Sequence, residues 1–214
     1  MAKIKNIIFD LDGTLWDTRT QISKAWNQIL NKEYNISINP KQITKLMGKT
    51  NNDFINIFFD KIDNIDTNSL LKRCQNNELL YLQKNGGKLF PNAINTIKTL
   101  SKKYNLFIVS NCQAGYIETF LNYYNLNKYF KDFECFGNTN QEKSKNINLL
   151  TNRNDLYHCE TCYVGDTYDD YKASKDNNII FIHASYGFGI CKSRKYCIKA
   201  INDLKVIISK LEKN

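Results

Sequence analysis

Short apolar segments that end in small polar or acidic residues recur along this sequence, and they restrict its fold more than any other feature. They span residues 4–9, 106–109, 133–136, 162–164 and 179–182. Apolar side chains at helical spacing lie between them, at residues 92–102, 116–124 and 143–152. Strands that alternate with helices predict an α/β fold, with a Rossmann-like, mostly parallel sheet and helices on both faces. Ligands of such sheets bind beyond the carboxyl ends of the strands, which is where the polar residues fall.

Residues 16–87 depart from this alternation. They carry helical patterns with little strand character, at 22–30, 43–47, 54–59 and 70–82. Gly86-Gly87 and Pro91 then mark the return to alternating strands and helices. We therefore expect a core domain of residues 1–15 and 88–214, with residues 16–87 inserted as an α-helical cap domain.

The composition favours a folded domain that binds acidic ligands. The chain has 214 residues, 42% of them hydrophobic, which is enough for a sizeable core. Lys+Arg 30 against Asp+Glu 21 gives a formal charge of +9, typical of proteins that meet nucleic acid, anionic membranes or phosphorylated metabolites. Because no zinc-finger spacing or aromatic RNA-binding motif accompanies the charge, a solvated cationic surface is favoured over nucleic-acid binding. The sequence carries no signal of oligomeric state.

The N-terminal apolar run is interrupted by Asp10 and Asp12, so it fits neither a signal peptide nor a membrane span. We therefore expect a cytoplasmic protein with no membrane partner. The seven cysteines then predict free thiols, since an odd number cannot complete a disulfide framework. Cys159 and Cys162 form a Cys-x-x-Cys pair, but a closed zinc site needs two further ligands and no second such pair exists.

The acidic pair Asp10 and Asp12 follows the first apolar segment directly. Two carboxylates at one strand end repel each other unless a cation or a proton lies between them. Mg²⁺ prefers oxygen ligands and uses one or two carboxylates together with substrate phosphate. Gly13 lets the backbone approach a ligand closely. The alternative is an ordinary Asp-Gly turn without chemistry.

Other strand ends add groups that suit phosphate chemistry. Ser110 and Asn111 offer a hydroxyl and backbone N–H groups, Lys143 offers a positive charge, and Asp166 and Asp170 offer further carboxylates. Each has a plain alternative, as a helix cap or a solvated lysine. Taken together, their order and spacing favour phosphoryl transfer through an aspartyl-phosphate.

These motifs resemble the haloacid dehalogenase superfamily, in particular its phosphoglycolate-phosphatase-like branch. The resemblance covers nearly the whole chain: residues 10–15 (DLDGTL), Ser110-Asn111, Lys143, and residues 165–167 (GDT) with Asp170. The segment 16–87 lies where this branch inserts its cap domain. The family therefore implies a Mg²⁺-dependent phosphatase.

The resemblance also implies a role for each residue. Asp10 is expected to attack phosphorus, and Asp12 to protonate the leaving oxygen and then to deprotonate water. The implied ligands of Mg²⁺ are the Asp10 carboxylate, the Asp12 backbone carbonyl and Asp166, with Asp170 acting through water or as a hydrogen-bond acceptor. The implied phosphate-binding residues are Gly13, Thr14, Ser110, Asn111 and Lys143.

Two positions have rivals. The family's lysine is often followed by proline, which is absent here, so Lys145 competes with Lys143. Lys143 is favoured because it leaves the following residues in helical register. Asp169 competes with Asp170, which is favoured because one helical turn places it on the same face as Asp166.

In the cap, Gly48 and Lys49 are candidates for contact with the leaving group, and Arg19 is a further cation that could meet an anionic substrate. The alternative for Gly48 is a helix C-cap beside an exposed lysine.

Three functions compete. A phosphatase for a small metabolite is favoured, because a carboxylic acid at Asp12 is needed for phosphate esters and not for dehalogenation. A phosphoglucomutase-like phosphotransferase uses the same motifs. The third candidate is a catalytically idle binding protein. It is disfavoured, because such a protein would have no chemical need for both Asp10 and Asp12.

Overall fold

A computed structural model describes residues 3–47, 66–191 and 195–212. Its centre is a six-stranded sheet in the order β5-β4-β1-β6-β7-β8, in which every neighbouring pair is parallel. The strands are β1 (Asn6–Phe9), β4 (Asn105–Ser110), β5 (Asp132–Cys135), β6 (Thr161–Gly165), β7 (Ile180–Ala184) and β8 (Cys197–Ile198). The α/β fold and the parallel sheet predicted from the sequence are confirmed.

Helices cover both faces of this sheet. They are α4 (Ala93–Leu100), α5 (Tyr116–Tyr123), α6 (Phe136–Thr139), α7 (Lys143–Arg153), α8 (Tyr168–Asp176) and α9 (Leu204–Leu211), with 3-10 turns at Asn127–Tyr129, His158–Glu160 and Ile201–Asp203. Side chains alternate across β1, so Ile7 and Phe9 join an apolar cluster with α4, α5 and α9. Ile8 points to the opposite face and packs in a second cluster with residues of α7 and α8.

The inserted segment forms a helical unit with its own apolar core. It contains α1 (Arg19–Tyr34), α2 (Pro40–Thr44) and α3 (Thr67–Asn85). The buried side chains of this core include Trp26, Leu30, Leu70, Leu71 and Cys74. The N-terminus of α2 carries a capping box between Asn39 and Gln42, and α3 begins after Asp66, whose carboxylate accepts from the N–H of Ser69.

A two-stranded antiparallel link joins this unit to the core. β2 (Trp16–Asp17) pairs with β3 (Lys88–Leu89), so the chain enters and leaves the helical unit side by side. Both strands have two residues, too few for an apolar pattern, and the sequence did not predict them. The domain limits at residues 15/16 and 87/88 stay a prediction.

Two further differences separate prediction from structure. Phe136, predicted as strand, begins α6, and the short strand β8 was not predicted. The predicted helix at 54–59, and Gly48 and Lys49, lie outside the described residues. No helix in the described parts of the chain has the length and apolar character needed to cross a bilayer.

The central position of β1 determines where a ligand can bind. The chain adds β4 and β5 on one side of β1 and then crosses to add β6, β7 and β8 on the other. Where the order of strands reverses in this way, the connections after the neighbouring strands leave in opposite directions. This opens a crevice beyond the carboxyl ends of the strands. Three predicted site residues lie at these strand ends, since Asp10 follows β1, Ser110 ends β4 and Asp166 follows β6.

Candidate active site

Three aspartates meet at the carboxyl ends of β1 and β6. Asp10 follows β1 and Asp166 follows β6, and these two strands are hydrogen-bonded neighbours. Asp170 lies in the first turn of α8. All three are buried, and one carboxylate oxygen from each lies within 4.8 Å of those of the other two.

Lys143 supplies the counter-charge to this cluster. It is the first residue of α7 and is buried, and its Nζ donates to Asp10 Oδ1 at 2.8 Å and to Asp170 Oδ1 at 2.5 Å. Burial alone would lower the pKa of Lys143, but Asp10 and Asp170 outweigh burial and raise this pKa well above its usual value. The lysine therefore stays charged. Its rival Lys145 is exposed on the same helix.

Asp170 holds Lys143 in place. Its Oδ2 accepts from the N–H of Thr167 at 2.9 Å and from Thr167 Oγ1 at 2.7 Å, which closes a capping box at the start of α8. Its Oδ1 accepts from Lys143 and from the hydroxyl of Tyr163 at 3.3 Å. The rival Asp169 is exposed.

Backbone N–H groups of a loop after β7 bind Asp166, a contact that was not predicted from the sequence. Its Oδ2 accepts from the N–H groups of Phe188 at 2.6 Å and Gly189 at 2.8 Å. Burial raises its pKa to about 8, with Asp170 and Asp10 adding to the effect. Gly13 has φ +83°, and a Cβ at that position would overlap the Asp166 carboxylate. The only sequence signal for this loop was its run of glycines after β7.

The second oxygen of Asp166 makes the cluster suitable for a cation. Oδ1 is buried without a hydrogen-bond partner in the part of the chain that the structure describes. A buried carboxylate oxygen in that state is costly unless an ion or a proton meets it. Hard oxygen ligands from Asp10 and Asp166 beside an unpaired lone pair fit Mg²⁺ better than a softer metal.

Asp12 is oriented away from the three clustered carboxylates. Its Oδ1 accepts from Thr18 Oγ1 at 2.8 Å and from the hydroxyl of Tyr116 at 3.1 Å. The pKa of Asp12 is raised to about 7. Burial is the main cause and the nearby Asp10 charge adds to it, whereas the hydrogen bonds from Thr18 and Tyr116 oppose the rise. Neither donor was predicted from the sequence. Tyr116 in particular lies 104 residues away along the chain.

Asp10 has a different environment. Burial raises its pKa to about 6, and Lys143 limits that rise by charge and by its hydrogen bond. Asp10 thus lies against a charged lysine, whereas Asp12 accepts from two neutral hydroxyl groups. These surroundings suit Asp10 to act as an ionised nucleophile and Asp12 to act as a proton carrier.

A cavity of about 580 Å³ lies between the helical unit and the strand ends. Its walls include five predicted site residues: Asp10, Asp12, Ser110, Asn111 and Lys143. Ser110 ends β4 beside Asp10 because β4 pairs with β1. A phosphoryl group at Asp10 would therefore meet the Ser110 loop on one side and Lys143 on the other.

Gly13 and Thr14 are placed differently. The N–H of Gly13 donates to Trp16 O at 3.0 Å and that of Thr14 to Leu11 O at 3.3 Å, so both shape the turn after β1. Neither is part of the described cavity wall. Their contact with phosphate stays a prediction.

Arg19 and the Cys-x-x-Cys pair lie apart from the cavity. The Arg19 guanidinium is held by Asp17 at 2.7 Å and stacks on the ring of Phe188. Cys159 is exposed, Cys162 is buried in β6, and both are free thiols. Within the described ranges, the single cluster of possible metal ligands is that of the three aspartates.

The chain belongs to the haloacid dehalogenase-like hydrolase family, which it matches over residues 7–184. It is therefore a hydrolase of that family. Curated relatives include the pyrophosphatase PpaX of Oceanobacillus iheyensis, 25% identical over 82% of this chain and 81% of the relative. A phosphoglycolate phosphatase of Vibrio vulnificus is 26% identical over 87% of this chain and 86% of its own length.

Solved structures share the fold over their full length. A predicted phosphoglycolate phosphatase from Haemophilus somnus superposes with a TM-score of 0.82 at 19% identity, covering 97% of this chain and 99% of that one. The candidate HAD-hydrolase YfnB of Bacillus subtilis, in a magnesium-bound form, gives a TM-score of 0.75 at 17% identity, with 97% and 99% covered. At these identities the likeness establishes the fold alone.

Proposed function

We propose that the protein is a Mg²⁺-dependent phosphatase that hydrolyses a small phosphorylated metabolite through an aspartyl-phosphate on Asp10. One observation carries this proposal. Asp10 and Asp12 line the same cavity, and Asp10 is bonded to the charged Lys143 whereas Asp12 accepts from two neutral hydroxyl groups. The relatives named as a phosphoglycolate phosphatase and a pyrophosphatase support the same class of reaction.

In the first step an ionised Asp10 oxygen attacks phosphorus. The new Asp10 O–P bond forms as the bond from phosphorus to the leaving oxygen breaks. Protonated Asp12 gives its proton to that oxygen, so the alcohol leaves neutral. Thr18 and Tyr116 both bind Oδ1 of Asp12, which leaves Oδ2 to carry the proton.

In the second step water attacks the phosphorus atom carried by Asp10 and forms a new O–P bond. Asp12, now ionised, takes the proton from the water, the Asp10 O–P bond breaks and inorganic phosphate leaves. Lys143 binds phosphoryl oxygens throughout, and Asp170 keeps it oriented. Asp10, the Asp12 carbonyl and Asp166 would hold Mg²⁺, and the bound ion would supply positive charge that offsets the phosphoryl oxygens.

The helical unit of residues 16–87 is proposed as the cap that covers the site. Its helices α1, α2 and α3 contribute side chains to the cavity wall, including Ile22, Ile43 and Leu71. Covering the site excludes bulk water while the phosphoryl group is transferred. The expected cytoplasmic location stays a prediction.

The decisive experiment compares the wild type with Asp10→Asn. Hydrolysis of p-nitrophenyl phosphate and of a panel of metabolite phosphates is measured with Mg²⁺ and with EDTA. Asp169→Asn is the matched control, since it removes an exposed carboxylate from the first turn of α8. We expect Mg²⁺-dependent turnover in the wild type and the control. The proposal fails if neither exceeds Asp10→Asn on any substrate.

A further inference from the structure

An acid and an amide in the cavity wall, Glu78 and Gln113, have no role in the steps above. Glu78 lies on α3 and is 6% exposed. Gln113 lies between β4 and α5, three residues after Ser110. Both line the cavity, one from the helical unit and one from the core.

Hydrogen bonds fix the orientation of the two side chains. Gln113 Nε2 donates to the Gln75 carbonyl at 3.1 Å and to Glu78 Oε1 at 3.2 Å. Trp26 Nε1 donates to Glu78 Oε2 at 2.7 Å. Both amide protons of Gln113 are therefore used, and its Oε1 is left as an acceptor.

The carboxyl group of Glu78 can also donate. Burial, with a smaller contribution from the Asp12 charge, outweighs the hydrogen bonds from Trp26 and Gln113 and raises its pKa to about 8, so the group is mostly protonated at pH 7. Trp26 and Gln113 both donate to it, so neither accepts its hydroxyl proton. The pair thus presents one O–H donor together with acceptor oxygens.

This combination matches a hydroxyl group better than a carboxylate. A hydroxyl both donates and accepts, whereas a carboxylate only accepts and would bring its charge towards Gln113 Oε1 and Asp12. Among the described residues, two cations line the cavity: Lys143 is bonded to Asp10 and Asp170, and Lys72 is exposed to solvent and makes no hydrogen bond to Glu78 or Gln113. Apolar side chains of the helical unit make up much of the remaining wall.

We propose that Glu78 and Gln113 select the leaving group, favouring an uncharged, hydroxyl-bearing alcohol over one that carries a carboxylate. This inference rests on the proposed function, since it requires a phosphate ester bound in the cavity. The substrate class is then a phosphate ester of a small polyol or sugar.

Two pairs of matched esters test this selection. Glycerol 3-phosphate and 3-phosphoglycerate differ by a hydroxymethyl group in place of a carboxylate, as do 2-hydroxyethyl phosphate and 2-phosphoglycolate. We expect kcat/KM of the wild type to favour the hydroxyl member of each pair by ~10-fold or more, because a hydrogen-bonding site rejects an analogue that leaves its groups unpaired.

Variants from both sides of the cavity assign the preference to the pair. Glu78→Gln and Gln113→Ala are each expected to reduce the ratio of kcat/KM for the hydroxyl ester to kcat/KM for the carboxylate ester by ~3-fold or more. Glu33→Gln removes an exposed carboxylate of the helical unit that pairs with Arg73, and it is expected to keep the wild-type ratio. Circular dichroism establishes that each variant is folded.

The outcomes separate this inference from the function on which it rests. If p-nitrophenyl phosphate is hydrolysed but the carboxylate esters are turned over equally well or better, the leaving-group assignment is wrong and the phosphatase stands. An unchanged ratio in both Glu78→Gln and Gln113→Ala also overturns it. If no ester is hydrolysed above the level of Asp10→Asn, both proposals fail.

Discussion

Replacement of Glu78 by glutamine should make the stability of the protein respond differently to pH. Glu78 is buried and its pKa is raised from 4.5 to about 8, first by loss of solvent and then by the Asp12 charge. The native state therefore binds a proton at Glu78 that the unfolded chain releases between these pH values. The unfolding free energy falls as pH rises wherever the native state binds more protons than the unfolded state. For Glu78 this fall begins near the unfolded pKa and ends above the native pKa.

The size of the effect follows from the two pKa values. Between pH 5 and pH 7 the Glu78 carboxyl should cost the wild type about 2–3 kcal/mol of unfolding free energy relative to a side chain that does not titrate. Glutamine keeps an oxygen that can accept from Trp26 Nε1 and carries no proton equilibrium. The difference in stability, Glu78→Gln minus wild type, should therefore become more positive by that amount.

Equilibrium denaturation with urea measures this difference. Tryptophan fluorescence reports on the region directly, because one of the two tryptophans, Trp26, donates to Glu78. Both proteins are unfolded at pH 5, 6 and 7 with EDTA present, so that metal binding does not contribute. Glu33→Gln, which removes an exposed carboxylate of α1, is the control and should show no such growth. Parallel stability curves for Glu78→Gln and the wild type would refute the assignment of a buried, protonated Glu78.

Three further changes test the proposed catalytic groups. Asp12→Asn should lower kcat by ~10²–10⁴-fold because an amide cannot transfer the proton. The loss should be smaller with p-nitrophenyl phosphate than with an alkyl phosphate, and equal losses would contradict the proton-carrier role. Lys143→Met should reduce the unfolding free energy in EDTA by ~3–5 kcal/mol, since two buried carboxylates lose their counter-charge. The exposed Lys145→Met is its control, and equal urea midpoints would exclude this role. Asp166→Asn should weaken Mg²⁺ binding by ~10-fold or more in calorimetric titration, whereas unaltered affinity would remove Asp166 from the site.

Much of the sheet could be predicted because parallel strands have a strong local signature. Segments that are buried on both faces are apolar at nearly every position, as in β1, where all four residues are buried and three of them are apolar. The carboxyl ends of neighbouring parallel strands meet at one edge. The aspartates after β1 and β6 could therefore be placed together from the sequence.

The surroundings of these acids could not be predicted in the same way. The N–H groups that hold Asp166 come from Phe188 and Gly189, beyond β7, and the hydroxyl that holds Asp12 comes from α5. Such contacts depend on how distant loops pack, which no local periodicity encodes. The acid–amide pair of Glu78 and Gln113 was missed for this reason, since on α3 the glutamate has the spacing of an ordinary helical side chain.

The pairing of β2 with β3 has a consequence for how this enzyme could change over time. Because Trp16 lies opposite Leu89, the two points at which the chain crosses into the helical unit are neighbours. A segment whose ends are adjacent can be lengthened, shortened or exchanged without stretching the fold that receives it. The chemistry at the sheet can thus be kept while the helical unit, proposed here as the cap, is replaced as a module. A graft that joins residue 17 to residue 88 through the helical unit of another family member should therefore fold and carry the donor's substrate preference.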